Sequence, residues 1–178
     1  MKKSVLLLFF AGCVATGIFG IGRKIPMNRV NDLGQREGYW RDSVGGGFVY
    51  DLYYKGGKKD GLYKRFYRNK LFLFGEYTAD NISGTWYMFG DEGELRCTID
   101  SIELNKDSIY TGYPCCRIFR KYKCYCTDYY PGGGVEKEGY MVCDEEFEIE
   151  IWEIGEWKYY DESGNLIKTK DYGDRRTP

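Results

Sequence analysis

Cysteine is the most chemically reactive residue type in this sequence, which lacks histidine. The chain has seven cysteines and no histidine. Without an imidazole it lacks the general base of Ser-His-Asp and Cys-His sites and the commonest ligand of catalytic zinc. A carboxylate pair remains, such as Asp144 with Glu145 or Glu146, but neighbouring acids are usually solvated. We therefore expect a protein that is not an enzyme and that uses no cofactor.

Six cysteines fall in one part of the chain. They are Cys97, Cys115, Cys116, Cys124, Cys126 and Cys143. An even number in an exported chain argues for disulfides, although six cysteines allow fifteen pairings and the sequence does not choose among them. Free thiols and a metal cage are the alternatives. Zinc sites favour a spacing of two to four residues between ligands, which neither Cys115-Cys116 nor Cys124-x-Cys126 has, so we expect no metal.

The first residues have the layout of a secretory signal peptide. Met1-Lys2-Lys3 precedes an uncharged apolar run that reaches Ile21, and small residues suit cleavage after residues 1–17. Phe10-Ala11-Gly12-Cys13 resembles a bacterial lipobox, in which residues 1–12 are removed and Cys13 is lipidated. A retained anchor is the third alternative, because the run approaches the roughly 17 residues of a spanning helix. The sequence predicts export to the periplasm, the outer membrane or the medium.

An internal repeat predicts the elements that position these residues. Gly38, Gly61 and Gly84 are twenty-three residues apart, and a large aromatic follows each glycine after two residues. Gly155 begins a fourth copy. A fixed period of this length is typical of a chain built from one repeated supersecondary unit. The residues that define the repeat are Gly38, Trp40, Gly61, Tyr63, Phe66, Gly84, Trp86, Phe89, Gly93, Gly155, Trp157, Tyr160 and Gly164.

Each copy predicts a β-hairpin. An aromatic strand such as Trp86–Phe89 runs into a polar turn, Gly90–Gly93, and a second apolar strand follows. Asp161–Asn165 is the same turn in the last copy. Aromatics two and five residues after the glycine point to opposite sides of a strand, so both faces of the sheet should carry rings.

Two runs, Lys58–Tyr67 and Gly155–Leu166, resemble the MORN-repeat family and more closely its bacterial variant repeats. The resemblance covers residues 38–96 and 139–172. It implies an all-β fold in which tandem hairpins form an elongated, curved antiparallel sheet, a scaffold for protein or lipid contacts. Some bacterial variants of the family are labelled as antitoxin components.

The sequence divides into segments around these repeats. The predicted segments are a signal peptide (1–17, or 1–12 before Cys13), a loose lead-in (18–36), MORN-like repeats (37–96), a cysteine-rich β insertion (97–138), a C-terminal MORN-like repeat (139–172) and a tail (173–178). The insertion breaks the period. Because Gly84 and Gly155 are 71 residues apart, close to three periods, we interpret the insertion as two decayed repeats.

The aromatic content predicts a binding surface. Aromatic residues make up 18% of the chain, and rings beyond the needs of a core are typical of surfaces for carbohydrate, lipid interfaces or protein. The candidate binding aromatics are Tyr53, Tyr54, Tyr77 and Tyr159; the alternative is that they only pack the sheet. Basic residues alternate with rings at Lys64–Arg68 and Arg117–Lys123, a pattern that can stack bases. The net charge of −1 and the predicted export argue against nucleic acid.

Together these features predict a non-catalytic exported protein that binds or scaffolds at the bacterial cell envelope. Its expected partners are protein, glycan or lipid, with membrane association through a lipidated Cys13 and self-association through unpaired sheet edges. One alternative is a lipocalin-like β-barrel for a small apolar ligand, because Ser83-Gly84-Thr85-Trp86 resembles the Gly-x-Trp entry of such barrels. The other is a cytosolic antitoxin-like partner protein, if the apolar N-terminus is not processed.

Overall fold

The computed structural model describes residues 26–107, 109–111, 118–144 and 152–173. These residues form thirteen strands and no helix, and therefore no helix that could span a membrane. The strands are β1 (Arg29–Val30), β2 (Arg36–Gly45), β3 (Phe48–Lys55), β4 (Lys58–Tyr67), β5 (Lys70–Thr78), β6 (Asn81–Phe89), β7 (Leu95–Leu104), β8 (Tyr110–Thr111), β9 (Ile118–Phe119), β10 (Tyr122–Tyr129), β11 (Val135–Cys143), β12 (Trp152–Tyr160) and β13 (Leu166–Asp171). The predicted signal peptide, Cys13, Cys115 and Cys116 lie outside the described residues.

One antiparallel sheet holds eleven of these strands, in the order β1–β7 and then β10–β13. Each strand pairs with the strand that follows it in the sheet, so the prediction of an all-β fold of successive hairpins is confirmed. The terminal strands β1 and β13 do not pair with each other, and the sheet is open. The alternative of a closed, lipocalin-like barrel is therefore wrong for this fold.

Two kinds of turn connect neighbouring strands. Two-residue turns with positive φ at both positions follow β2 to β5, as at Arg68 and Asn69, and this backbone matches the twist of paired strands. A five-residue turn follows β1, β6, β10 and β12, and in each of the four the first residue donates its N–H to the carbonyl oxygen of the fifth. The polar turns predicted at residues 90–93 and 161–165 are confirmed.

The glycines of the repeat lie at β-bulges. Against the preceding strand, the register shifts at Gly61, Gly84 and Gly155, and in each case the strand with the glycine carries two extra residues. Gly84 has φ of +64°, a conformation that favours glycine, and a Cβ there would lie 3.8 Å from Oε2 of Glu76, an ordinary contact distance. The repeated glycine is thus the residue that lets each aromatic strand bend before its tryptophan or tyrosine.

The hydrophobic core lies on one side of the sheet, which we call the core face. A row of directly paired residues crosses it from β6 to β12, through Trp86, Ile99, Cys126, Gly139 and Trp157. Trp86, Ile99 and Trp157 have no exposed surface. Since the described residues include no second layer over this face, neighbouring side chains of the same sheet cover one another.

Two glycines within strands make room for the buried tryptophans. A Cβ atom on Gly75 in β5 would overlap the ring of Trp86, and a Cβ on Gly139 would lie 2.5 Å from the ring of Trp157. Each ring therefore lies flat against the backbone of the preceding strand. Each indole N–H also donates to a carbonyl oxygen, from Trp86 to Ser83 at 3.1 Å and from Trp157 to Tyr140 at 2.8 Å.

Within and beside the predicted insertion, strands β7, β10 and β11 belong to the main sheet. Among the described residues between β7 and β10, which we call the excursion (105–107, 109–111 and 118–121), β8 and β9 pair with each other outside that sheet. Asn105 anchors this excursion: its side-chain amide donates to the carbonyl oxygens of Ile109 at 2.8 Å and Arg120 at 2.9 Å. Ile109 then packs on Val142 and Ile154, on the side of the sheet opposite the core face.

The β10–β11 hairpin is a repeat copy with altered residues. Cys124-x-Cys126 takes the place of Gly-x-Trp, and the same five-residue turn follows at the same distance. Its glycine, Gly133, has φ of +92°, close to the +85° of Gly93. In the described part of the predicted lead-in, β1 pairs with β2 through the turn at residues 31–35.

Candidate functional site

The side of the sheet opposite the core face, which we call the open face, carries half-buried and exposed rings. Side chains alternate along a strand, so the neighbours of core residues in sequence point to this side. Tyr53, between the buried Leu52 and Tyr54, is 48% exposed, and Tyr140, next to the buried Met141, is 45% exposed. Leu62 is 54% exposed on the same face.

The rings of the open face form three pairs across neighbouring strands. Tyr39 is directly opposite Tyr53 on β2 and β3. The ring centroids of Phe74 and Tyr87, on β5 and β6, are 5.9 Å apart, and those of Tyr125 and Tyr140, on β10 and β11, are 5.1 Å apart. One strand lies between successive pairs, so each pair is offset from the next by three strand positions, which is roughly 14 Å across the sheet at about 4.8 Å per strand.

Carboxylates lie beside two of these ring pairs. Burial and then the carboxylate of Asp51 raise the pKa of Tyr39 to about 12. Burial and then the carboxylate of Glu138 raise the pKa of Tyr125 to about 12. Both phenols are therefore neutral hydrogen-bonding groups at physiological pH, and the open face combines apolar rings with polar atoms at their rims.

The candidate binding aromatics do not lie together. Tyr53 is exposed on the open face, whereas Tyr54 and Tyr77 are 8% and 4% exposed and belong to the core. Tyr159 packs against the core cluster, and its hydroxyl lies 2.7 Å from that of Tyr172. Strand alternation and burial leave only Tyr53 of the four on the open face.

The basic residues near aromatics contact rings of the sheet itself. The guanidinium of Arg65 lies 4.4 Å from the ring centroid of Phe48, and that of Arg68 lies 5.0 Å from the centroid of Tyr67. Such cation–π contacts stabilise the sheet by modest amounts. Arg120, in the second basic run, is buried and pairs with Asp144 at 2.8 Å.

Asp144, named above as a conceivable catalytic acid, has a structural role. Its carboxylate accepts a hydrogen bond from the guanidinium of Arg120 at 2.8 Å and one from the backbone N–H of Lys121 at 3.0 Å. These contacts attach the end of the excursion to the end of β11. Glu145 and Glu146 lie outside the described residues.

Four cysteines meet on the core face as two pairs. The Sγ atoms of Cys97 on β7 and Cys126 on β10 are 3.3 Å apart, and those of Cys124 on β10 and Cys143 on β11 are 3.2 Å apart. All four are buried free thiols in this structure. The contact with the partner sulfur and then burial raise the pKa of both Cys97 and Cys124.

A cleft of about 550 Å³ opens beside Cys97, between the turn after β6 and the end of β10. Its lining combines apolar and acidic side chains, and two of the acids have local partners. Asp128 pairs with Lys137 at 3.2 Å, and the carboxylate of Glu94 accepts the N–H of Glu92 at 3.1 Å. Cys97, Cys126 and Asp128 place three potential metal-ligand atoms within 4.8 Å of one another.

Sequence reasoning missed the open-face pairs around Phe74, Tyr87, Tyr125 and Tyr140. The available signal was alternation counted outward from each motif tryptophan, which places Tyr87 on the face opposite Trp86. The strand register that brings Phe74 beside Tyr87 was not predicted. The role of Gly75 was also missed. A lone glycine inside an apolar strand often indicates a close approach, here by the ring of Trp86.

No family model, no curated protein and no solved structure matches this chain. The resemblance to MORN-like repeats stays a prediction that rests on the two runs quoted above.

Proposed function

We propose that this protein is a non-catalytic binding or scaffolding protein of the cell envelope, and that its open face is the contact surface. The observation that carries the proposal is that the two faces of the sheet differ in how far their aromatic rings are buried. The core face buries its rings, and the open face presents ring pairs at regular intervals with Tyr53 and Tyr140 about half exposed. Exposed aromatic surface beyond the needs of a core is typical of binding sites.

The spacing and chemistry of the open face favour an extended polar polymer as the ligand, and a glycan in particular. Tyrosine rings stack on apolar faces while their hydroxyls serve hydrogen bonds. Ion-paired carboxylates such as Asp51, 3.5 Å from Arg41, add polar groups between the rings. Ring pairs roughly 14 Å apart would contact successive segments of one chain, whereas an acyl-chain ligand would remove these charged groups from water without offering them hydrogen bonds.

A co-sedimentation experiment tests the proposed contact surface. The native protein is mixed with purified cell envelopes, and separately with polysaccharide isolated from them. The test variant replaces Tyr53, Leu62 and Tyr140 by alanine. Because central aromatic contacts contribute most of the binding free energy, we expect at least a tenfold loss of affinity. All three side chains are about half exposed, so stability should change little.

Leu166→Ala is the matched control for Leu62. Both leucines are 54% exposed, but Leu166 lies on the edge strand β13. The control should bind like the wild type. Equal binding by the triple variant and the wild type would exclude the open face as the contact surface. Failure of the wild type to bind either preparation would overturn the proposal itself.

Cell fractionation and the mature N-terminus test the proposed location. A chain that starts at Ile18, or at a lipidated Cys13, supports export. A full-length chain in the cytosol that co-purifies with a toxin would contradict the envelope proposal and favour the antitoxin-like alternative.

A further inference from the structure

In strand β10, two cysteines replace the Gly-x-Trp motif of the repeat. In β6 and β12 the motif tryptophan fills the core face, while in β10 the equivalent position is Cys126, which is 1% exposed. Cys124, two residues earlier, has no exposed surface and points to the same face. Two small sulfur side chains therefore replace one indole ring at the centre of the core.

The two cysteines of β10 have different partners on different strands. Cys126 meets Cys97 of β7, at an Sγ–Sγ distance of 3.3 Å, and Cys124 meets Cys143 of β11, at 3.2 Å. Each pair is diagonal across neighbouring strands: Cys126 is directly opposite Ile99, and Cys124 is directly opposite Met141. Of the three ways to pair these four cysteines, the structure brings together the sulfurs of one.

We propose that Cys97–Cys126 and Cys124–Cys143 are native disulfides that fasten β10 to both of its neighbours. A disulfide has an S–S length of about 2.05 Å, so each sulfur must move by roughly 0.6 Å from its present position, which a small side-chain rotation supplies. The pairing joins three consecutive strands of the main sheet covalently at the place where the tryptophan is missing.

The chemistry of the step is a thiol–disulfide exchange with an oxidised dithiol oxidoreductase. One cysteine thiolate attacks a sulfur of the oxidoreductase disulfide, and its partner thiolate then displaces the enzyme from the mixed disulfide. Each cross-link removes two protons and two electrons from the chain and leaves the oxidoreductase as its dithiol. Since the four thiols are buried in the finished sheet, the exchange occurs while the chain folds.

A metal site on the same residues fits less well. Only the first pair has a third candidate ligand, Asp128, among the described residues, and the Nζ atom of Lys137 lies 3.2 Å from an oxygen of that carboxylate. The ammonium group of Lys137 would repel a metal cation bound beside it. The Cys124–Cys143 pair has the same sulfur geometry without any such carboxylate, so cross-linking is the chemistry that explains both pairs.

Peptide mapping of the full chain tests the pairing. Protein isolated from its native cells is acid-quenched, treated with N-ethylmaleimide in denaturant, and digested with chymotrypsin without reductant. Cleavage after Tyr125 separates Cys124 from Cys126. We expect one linked peptide pair that joins Cys97 to Cys126 and another that joins Cys124 to Cys143, and both disappear on reduction. Reduction should also lower Tm by roughly 10 °C.

Two variants and a metal assay sharpen the test. In Cys126→Ser, Cys97 should react with N-ethylmaleimide while the Cys124–Cys143 link persists; in Cys143→Ser the reverse should hold. The wild-type map tests the pairing directly, so the proposal is tested even if a variant fails to fold. A different pairing, full alkylation of all four cysteines in the native protein, or stoichiometric bound zinc would overturn the proposal. None of these results bears on whether the open face binds envelope polymer.

Discussion

The copies of the repeat at β6 and β12 differ from the copy at β10 in how they fill the core face. Trp86 and Trp157 each lie on a glycine of the preceding strand and donate an indole hydrogen bond. The β10 copy keeps the hairpin, the five-residue turn and the register but presents Cys124 and Cys126 instead. The backbone of the repeat is therefore maintained by its turns and strand pairing, while the means of filling the core varies.

The bulge also changes sides between the two kinds of copy. At Gly84 and Gly155 the extra residues belong to the motif strand. At β10 the extra residue belongs to the preceding strand β7, where Ser101 has φ of +50°. A cysteine does not readily adopt positive φ. The bulge beside β10 therefore has its left-handed residue, Ser101, in the neighbouring strand β7.

The largest effect should come from removing a motif tryptophan. Trp86→Ala should lower the free energy of unfolding by about 3–5 kcal/mol, because a fully buried ring leaves a large cavity. In reduced protein, Cys126→Ala at the equivalent position should cost about 1 kcal/mol, since it removes one small buried group. Urea unfolding in the presence of reductant measures both values. Equal losses would show that the two kinds of copy do not differ in this way.

The next effect concerns the glycine beneath the ring. Gly75→Ala should destabilise by about 1–3 kcal/mol, because its Cβ would overlap the ring of Trp86 and force the core apart. Gly132→Ala is the matched control, since a Cβ there would meet no atom within 4 Å.

A double-mutant cycle with Trp86→Ala isolates the contact beneath the ring. The penalty of Gly75→Ala should largely disappear once the indole is gone. A penalty that persists without the indole would mean that Gly75 is needed for its backbone conformation alone.

The bulge residues should give a smaller effect of opposite sign in the two copies. Gly84→Ala should destabilise by about 1–2 kcal/mol, because an L-residue in the left-handed region is strained. Ser101→Gly should stabilise by about 1 kcal/mol or less, since it relieves the same strain in β7. Thermal unfolding of the two variants beside the wild type measures both shifts. Destabilisation by Ser101→Gly would argue that the strained serine is held by other contacts.

The smallest effect concerns the ionisation of two open-face tyrosines, which should be alike in a copy with a motif tryptophan and in the β10 copy. The pKa values of Tyr39 and Tyr125 are raised from 10.0 to about 12. A raised pKa favours the neutral phenol in the folded state, so the associated stability is present below pH 10 and is lost as the pH rises through 12. Ultraviolet absorbance titration should therefore show two late-ionising tyrosines.

Glu138→Gln separates the two phenols. It should lower the pKa of Tyr125, which lies beside that carboxylate, and leave that of Tyr39 unchanged. An unchanged pKa of Tyr125 in this variant would mean that burial alone, and not the carboxylate of Glu138, raises it.

Several elements were predictable because they depend on local chemistry. The period of Gly38, Gly61 and Gly84 located hairpins whose strands the structure confirms, since glycine supplies the positive φ that a bulge needs. The turn at residues 161–165 was predictable because Asp161 accepts backbone N–H groups of Ser163 and Asn165, a local pattern that favours turns.

The candidate site was less predictable because it depends on which face of each strand the whole sheet buries. Alternation along a strand places Tyr53 and Tyr54 on opposite faces, but it does not say which of these faces is the core. Packing within the sheet buries Tyr54 and Tyr77 in the core, while strand pairing brings Tyr125 and Tyr140 together on the open face.

The sequence by itself determined the hairpins, their turns and the all-β class, because these follow from contacts between residues close in the chain. Only the tertiary structure decided that the sheet stays open and that Trp86 lies over Gly75. It also decided that Cys97 meets Cys126, although 29 residues separate them. Such pairs depend on register across several strands, and each bulge changes that register by an amount that local residue preferences do not encode.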